Sequence, residues 1–167
     1  MTNKTNIQVL PDHISSKIAA GEIVDRPSSV VKELIENSID ADANQIIIKL
    51  LNGGLDTINI TDNGIGIPKN QVKTSLMRFA TSKISNESDL LNINTLGFRG
   101  EALHAISSVS NFSIETKFIS ENIGSSLESN YGEYTHIKEH GIKKGTSITV
   151  KNIFNKLPAR KKFLKTS

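Results

Sequence analysis

The chain has 167 residues, 37% of them hydrophobic and 22% charged, with a formal net charge of +3 and no cysteine. That length suits one domain with its own core, and the lack of cysteine excludes a disulfide scaffold and a thiolate metal site. No apolar run reaches membrane-span length and no hydrophobic signal core follows Met1–Lys4, so the cytoplasm is the expected compartment.

Residues 12–21 read as a short helix, with Asp12 as a candidate N-cap, Ile14, Ile18 and Ala19 at helical spacing, and Gly21 closing it. A second helix opens at Pro27 with Ser28 or Ser29 and runs to Asp40. Its Val30, Val31, Leu34, Ile35 and Ile39 cover one broad side. At about 100° per residue, Glu33, Asn37 and Asp40 fall within roughly 60° of one another on the opposite side. Isoleucine-rich Gln45–Leu51 is an expected strand, Asn52-Gly53-Gly54 the turn, and the alternating Thr57–Thr61 its partner, with Asp62 at the strand end. Pro68 to Leu76 reads as helical. Residues 80–100 are polar apart from Leu90, Leu91 and Ile93, and read as a long mobile loop. Glu101–Ser107 is a helix opening straight after Gly100.

The remainder reads as strands: Phe112–Phe118, a weaker one near Ser125–Ser129, another around Tyr134–Lys138, and Thr146–Ile153, punctuated by Gly124, Gly132, Gly141 and Gly145. Helices come early and strands follow in succession, which favours segregated α+β layers over a doubly wound parallel sheet. Leu157–Ser167 reads as another helix opening, with Pro158 in its first turn and no C-cap before the last residue. The expectation is a domain of something longer. Arg160, Lys161, Lys162 and Lys165 crowd this end; they suit either a phosphate backbone or a solvated helix face.

Three patterns carry chemistry. Glu33 and Asn37, one helical turn apart, offer a carboxylate with fixed aim for activating water and a neutral oxygen for a hard cation such as magnesium. An amphipathic helix with a solvent face offers the same pair. Asp62-Asn63-Gly64-Ile65-Gly66 puts a carboxylate at a strand end, able to accept from an exocyclic amine, beside glycines that admit a flat ring; Asp-Asn-Gly is equally an ordinary turn. Gly97-Phe98-Arg99-Gly100, leading into a helix, can wrap phosphates with unpaired amides, and Thr81 and Lys83 add a hydroxyl and an ammonium at the other end of the loop. No G-x-x-x-x-G-K-[ST] phosphate loop occurs. His13, His104, His136 and His140 lack metal-ligand spacing on a common element, and no Ser–His–Asp arrangement can be assembled.

In this order the patterns resemble the GHKL ATPase superfamily of gyrase-type topoisomerases, heat-shock chaperones, sensor histidine kinases and mismatch-repair proteins, and within it the MutL family. The runs that carry the resemblance are Ile18-Ala19-Ala20-Gly21-Glu22-Ile23-Val24, Arg26–Leu34, Arg78-Phe79-Ala80-Thr81-Ser82-Lys83, Leu96–Leu103 and Pro158–Leu164. They cover nearly the whole chain, thinning from Phe118 to Lys144. Asn155-Lys156-Leu157-Pro158 departs from the Asn-Thr-Pro frequent in bacterial relatives.

The resemblance implies a two-layer α/β sandwich with helices on one face of a mixed, mostly antiparallel sheet. It implies ATP and Mg2+ as cofactors, Glu33 as the group that activates the attacking water and Asn37 as the magnesium ligand. Asp62 would bind the adenine amino group, Gly66 would line the base pocket and Thr146 would stand beside adenine. Gly97, Phe98, Arg99 and Gly100 would hold the phosphates, bordered by Thr81 and Lys83. Residues 1–167 would form the ATP-binding domain alone, without the transducer-like subdomain whose lysine reaches the terminal phosphate and without a dimerisation region. The implied activity is slow ATP hydrolysis gating a homodimer in mismatch repair. The implied partners are a MutS-type mismatch recognition protein, a downstream nuclease and helicase, and DNA bound without sequence preference. A nucleotide-binding module without turnover and the kinase or topoisomerase branch are the alternatives.

Overall fold

The computed structural model describes residues 11, 20, 23–84, 86–91 and 95–164; the expected helix at 12–21 lies outside them, save for Ala20. Helix α1 spans Pro27–Asp40, as its proline start and apolar spacing predict. Pro27 fills the first helical position, where the missing N–H costs nothing, and the extended Arg26 precedes it. Its end is a Schellman closure with an aspartate where glycine is usual. Asp42, at φ 58°, donates to the Ile39 carbonyl, and Ala43 donates to the Ser38 carbonyl.

Strands β1 (Ile46–Leu51) and β2 (Thr57–Asp62) form the expected hairpin around a 3₁₀ turn at Asn52–Gly54. A short helix α2 (Glu87–Leu91) interrupts what the sequence presents as loop, and α3 covers Ala102–Ser108. Then come β3 (Asn111–Lys117), β4 (Gly124–Asn130), β5 (Glu133–Tyr134), β6 (Lys138–His140), β7 (Gly145–Lys151) and α4 (Pro158–Leu164). The strand expected at Tyr134–Lys138 is therefore two short ones, β5 and β6, pairing with opposite ends of β4.

Pro68–Leu76 departs from expectation. It forms two 3₁₀ turns, Lys69–Gln71 and Thr74–Leu76, rather than an α-helix. Asn70, Val72, Thr74 and Ser75 are weak helix formers, and the Ser75 hydroxyl donates to the Val72 carbonyl at 2.8 Å, a local bond that competes with helical pairing. Val72 and Leu76 are nevertheless buried, so the segment fulfils its packing role without helical geometry.

The sheet runs β1-β2-β7-β3-β4-β5, with β6 also on β4, and every described pairing is antiparallel. Alternation sends one side chain in two toward the helices, and the register aligns them in rows. Ile60, Ile148, Ile114 and Leu127 form one row across β2, β7, β3 and β4; Ile58, Val150 and Phe112 form the next. Val30 and Leu34 of α1, with Ala105 and Ile106 of α3, close the core from above. Burying each of the valine, leucine, isoleucine and phenylalanine side chains contributes about 1.5–3 kcal/mol. At the β2 C-terminal end the inward row changes character: Thr146 faces Thr116, which faces Ser125, and all three are buried. Asp62 sits at the end of β2 beside this polar row, one residue beyond the Thr61–Ser147 pair. An apolar core that turns polar along one edge needs partners for its hydroxyls, and that edge is where the candidate site lies.

Among the described residues no helix is long and apolar enough to cross a membrane.

Candidate functional site

Asp62 is held from three sides. Its Oδ1 accepts from the Gly64 N–H at 2.9 Å and the Thr146 N–H at 3.2 Å; its Oδ2 lies 3.0 Å from the Ser38 hydroxyl of α1. Ser38, 3% exposed, was not expected at a site, because it lies on the helix side that packs inward. Its hydroxyl also reaches the Leu34 carbonyl at 3.0 Å, so one proton is shared between two acceptors. The Thr116 hydroxyl joins the cluster, 3.0 Å from that of Thr146, while accepting from the Ile67 N–H at 2.9 Å. The sequence carries a signal for neither Ser38 nor Thr116 beyond a hydroxyl at an inward position.

The two glycines after Asp62 are there for proximity. A Cβ on Gly64 would lie 2.6 Å from the Ala41 carbonyl oxygen at the end of α1. Gly66 has φ +75°, and a Cβ there would lie 2.1 Å from the Lys117 carbonyl oxygen. Gly66→Ala combines left-handed strain with a backbone overlap, and is expected to destabilise the fold by about 2–4 kcal/mol. Chemical denaturation measures this as a lower midpoint at unchanged slope.

Glu33 is part-buried on the α1 face away from the core. Burial raises its pKa above the ordinary value of 4.5, the neighbouring Glu36 charge adds to the rise, and Lys32, Lys83 and Arg99 oppose it. Arg99 thus makes itself felt at Glu33 while its guanidinium stands 5.7 Å from the Phe98 ring centroid.

One turn on, Asn37 Oδ1 accepts from Lys83 Nζ at 2.9 Å, and the same ammonium meets Asp40 Oδ2 at 2.5 Å. Asp40 also accepts from the N–H groups of Leu96 (3.0 Å, Oδ1) and Gly97 (3.1 Å, Oδ2). Burial works to raise the Asp40 pKa, but Lys83 and the two backbone donors outweigh it and hold the carboxyl below its ordinary range. Thr81 accepts from the Lys83 N–H at 3.1 Å, which sets the turn that aims the lysine. The neck of the segment is fastened too. Gly100, at φ +62°, leaves no room for a Cβ, which would fall 2.6 Å from the Ala80 carbonyl oxygen, and Arg78 pairs with Glu101 at 3.2 Å. Phe79, at φ 64°, is 65% exposed with Arg78 stacked 4.6 Å from its ring centroid.

The fold therefore gathers the sequence-selected residues into two neighbouring groups. Asp62, Gly64, Gly66 and Thr146 surround the polar end of the inner rows. Glu33, Asn37, Lys83 and Gly97, all half-buried, line the other flank of α1, with Asp40 at their centre.

The sequence matches, over residues 25–161, the family described as histidine kinase-, DNA gyrase B-, and HSP90-like ATPase. It is 51% identical to the DNA mismatch repair protein MutL of Koribacter versatilis over 160 residues, 96% of this chain and 25% of that protein. It is 47% identical to MutL of Aquifex pyrophilus over 159 residues, 95% of this chain and 37% of that protein. The chain thus spans between a quarter and somewhat over a third of the length of these relatives. Among solved structures, the Aquifex aeolicus MutL ATPase domain complexed with ADP superposes with a TM-score of 0.68 at 31% identity, covering 85% of this chain and 48% of that one. The N-terminal domain of a DNA repair protein superposes with a TM-score of 0.75 at 33% identity, covering 91% and 43%. A strand-end aspartate under an acid–amide helix, the antiparallel sheet that carries them, and these matches converge: the chain belongs to the histidine kinase-, DNA gyrase B-, and HSP90-like ATPase family, in the branch of the MutL N-terminal ATPase region.

Proposed function

We propose that this chain binds magnesium–ATP between α1 and the 80–100 segment and hydrolyses it slowly. The observation that carries the reading is Asp62. Three donors orient its carboxylate and leave one lone-pair position on Oδ2, enough to accept from the adenine amino group. Gly66 would line the base pocket and Thr146 would stand beside the ring.

The donor set of the helix flank suits a hard cation: Asn37 Oδ1 already accepts an ammonium in this fold. Asn37 would hold the magnesium, which when bound neutralises charge on phosphate oxygens. Gly97, Phe98, Arg99 and Gly100 would hold the phosphates, with Thr81 and Lys83 at their border. Glu33, on the same flank and without a hydrogen bond among the described residues, would take the proton of the attacking water.

In the longer proteins this chain resembles, the domain would be joined to a second subdomain and a dimerisation region. Nucleotide binding would then gate a homodimer that acts in mismatch repair with a MutS-type recognition protein, a nuclease, a helicase and DNA. Co-crystallisation with a non-hydrolysable ATP analogue and magnesium tests the site. Adenine beside Asp62 is the expected result, and adenine placed elsewhere overturns the assignment. Binding and turnover measured on one sample separate an ATPase from a module that only binds.

A further inference from the structure

Asp40 has no part in the roles above, yet it is the hub of the phosphate flank. It is almost fully enclosed, its side chain 6% exposed against 19% for Lys83. Its two oxygens take up three groups on this flank that would otherwise be open to a phosphate: the Lys83 ammonium and the N–H groups of Leu96 and Gly97. The ammonium in turn lies on Asn37 Oδ1, the oxygen assigned to the metal. A buried carboxylate thus stands in for the anion, and a lysine for the cation. The partners come from opposite ends of one segment, 43 and 57 residues from Asp40, so one side chain clasps both ends to α1.

We propose that Asp40 and Lys83 form an internal clasp that closes the phosphate side of the site on the chain's own charges, and that magnesium–nucleotide binds by exchange, displacing Lys83 from Asn37 and the Gly97 N–H from Asp40. This rests on the nucleotide reading of the same flank. A magnesium ion and an ammonium on the one Asn37 oxygen repel each other, as do a carboxylate and a phosphate drawn to the one Gly97 N–H, so each pair competes for its site. The clasped form therefore disfavours binding, and apparent affinity falls as the fraction of molecules that hold it rises.

Two measurements on the intact chain test this. The first is amide hydrogen exchange without added nucleotide. Asp40→Asn is expected to speed exchange across residues 81–84 and 95–100 by about tenfold, the loss that accompanies removal of a charge-assisted hydrogen bond. Protection of β2 and β7 should stay unchanged. Unchanged exchange at 95–100, or loss of protection spread over the sheet, overturns the clasp. The second is binding of a non-hydrolysable ATP analogue with magnesium. Opening the clasp in Asp40→Asn is expected to tighten apparent binding by about fivefold to tenfold through faster association. Lys83→Met, which breaks the clasp from the other side, is expected to lower the magnesium concentration at half-saturation by a similar factor. Weaker binding in Asp40→Asn together with a higher magnesium requirement in Lys83→Met would show that both residues only support the bound state, and would overturn the exchange. If the unaltered chain binds no adenine nucleotide, the proposed function fails, while the exchange arm still decides the clasp.

Discussion

Glu33→Gln is expected to lower ATP turnover by about 10²- to 10⁴-fold, the range spanned by a positioned general base, while nucleotide affinity stays within about twofold. The substitution keeps size and removes only the ability to take a proton. Because among the described residues nothing hydrogen-bonds the Glu33 carboxyl, the exchange leaves no partner stranded. The pH dependence follows from the raised pKa of Glu33. Turnover falls as pH drops through that value, because protonation removes the base, and the acidic limb of the profile lies above the ordinary 4.5. Stability moves the other way. A carboxyl whose folded pKa exceeds its unfolded value favours the fold most below the unfolded pKa, and the contribution is lost as pH rises through the folded one. At neutral pH the ionised, part-buried Glu33 therefore works against folding, and Glu33→Gln is expected to melt no lower than the parent chain. A profile whose acidic limb survives in Glu33→Gln would assign the base to another group.

The elements that the sequence discloses are those set by short-range pattern. Helix α1 and the β1–β2 hairpin follow from periodicity and turn residues, and the observed bounds lie within a residue of the expected ones. Pro68–Leu76 misleads because Val72 and Leu76 are spaced like a helix face, and burial rewards that spacing equally in consecutive 3₁₀ turns. The same division runs through the site. Glu33, Asn37 and Asp62 are visible because each lies in a local pattern. Ser38 is hidden, since a serine on the inward side of an amphipathic helix carries no mark of the aspartate it meets 24 residues on. Asp40 is hidden in its role, though not in its place: its position beside Glu33 and Asn37 is plain from helical geometry, but its three donors arrive from residues 83, 96 and 97. Long-range polar pairing has no period, and only the folded chain displays it.

Asp62 yields the prediction with the sharpest chemical signature. A carboxylate offers about four lone-pair positions. Two on Oδ1 serve the Gly64 and Thr146 N–H groups and one on Oδ2 serves Ser38, so the fourth alone remains to face a nucleobase. Asp62→Ala leaves both N–H groups without their acceptor and is expected to destabilise the fold by about 2–6 kcal/mol, at about 1–3 kcal/mol for each buried donor orphaned. Asp62→Asn separates recognition from stability. Its oxygen, placed as Oδ1, keeps both N–H partners, and its NH2 group faces Ser38, whose hydroxyl can donate to the Leu34 carbonyl alone and accept in exchange. The fold is therefore expected to lose less than about 1 kcal/mol, while the group presented to the base changes from acceptor to donor. The preference between bases should narrow accordingly. The unaltered chain is expected to prefer ATP over ITP, which carries an oxygen where adenine carries the amine, by at least about 100-fold, because a site built around a hydrogen bond rejects the analogue that leaves it unmade. In Asp62→Asn the preference should shrink to within about tenfold, mainly through lost ATP affinity. Equal preferences in the two proteins would remove Asp62 from base recognition and leave it as the brace between α1, β2 and β7.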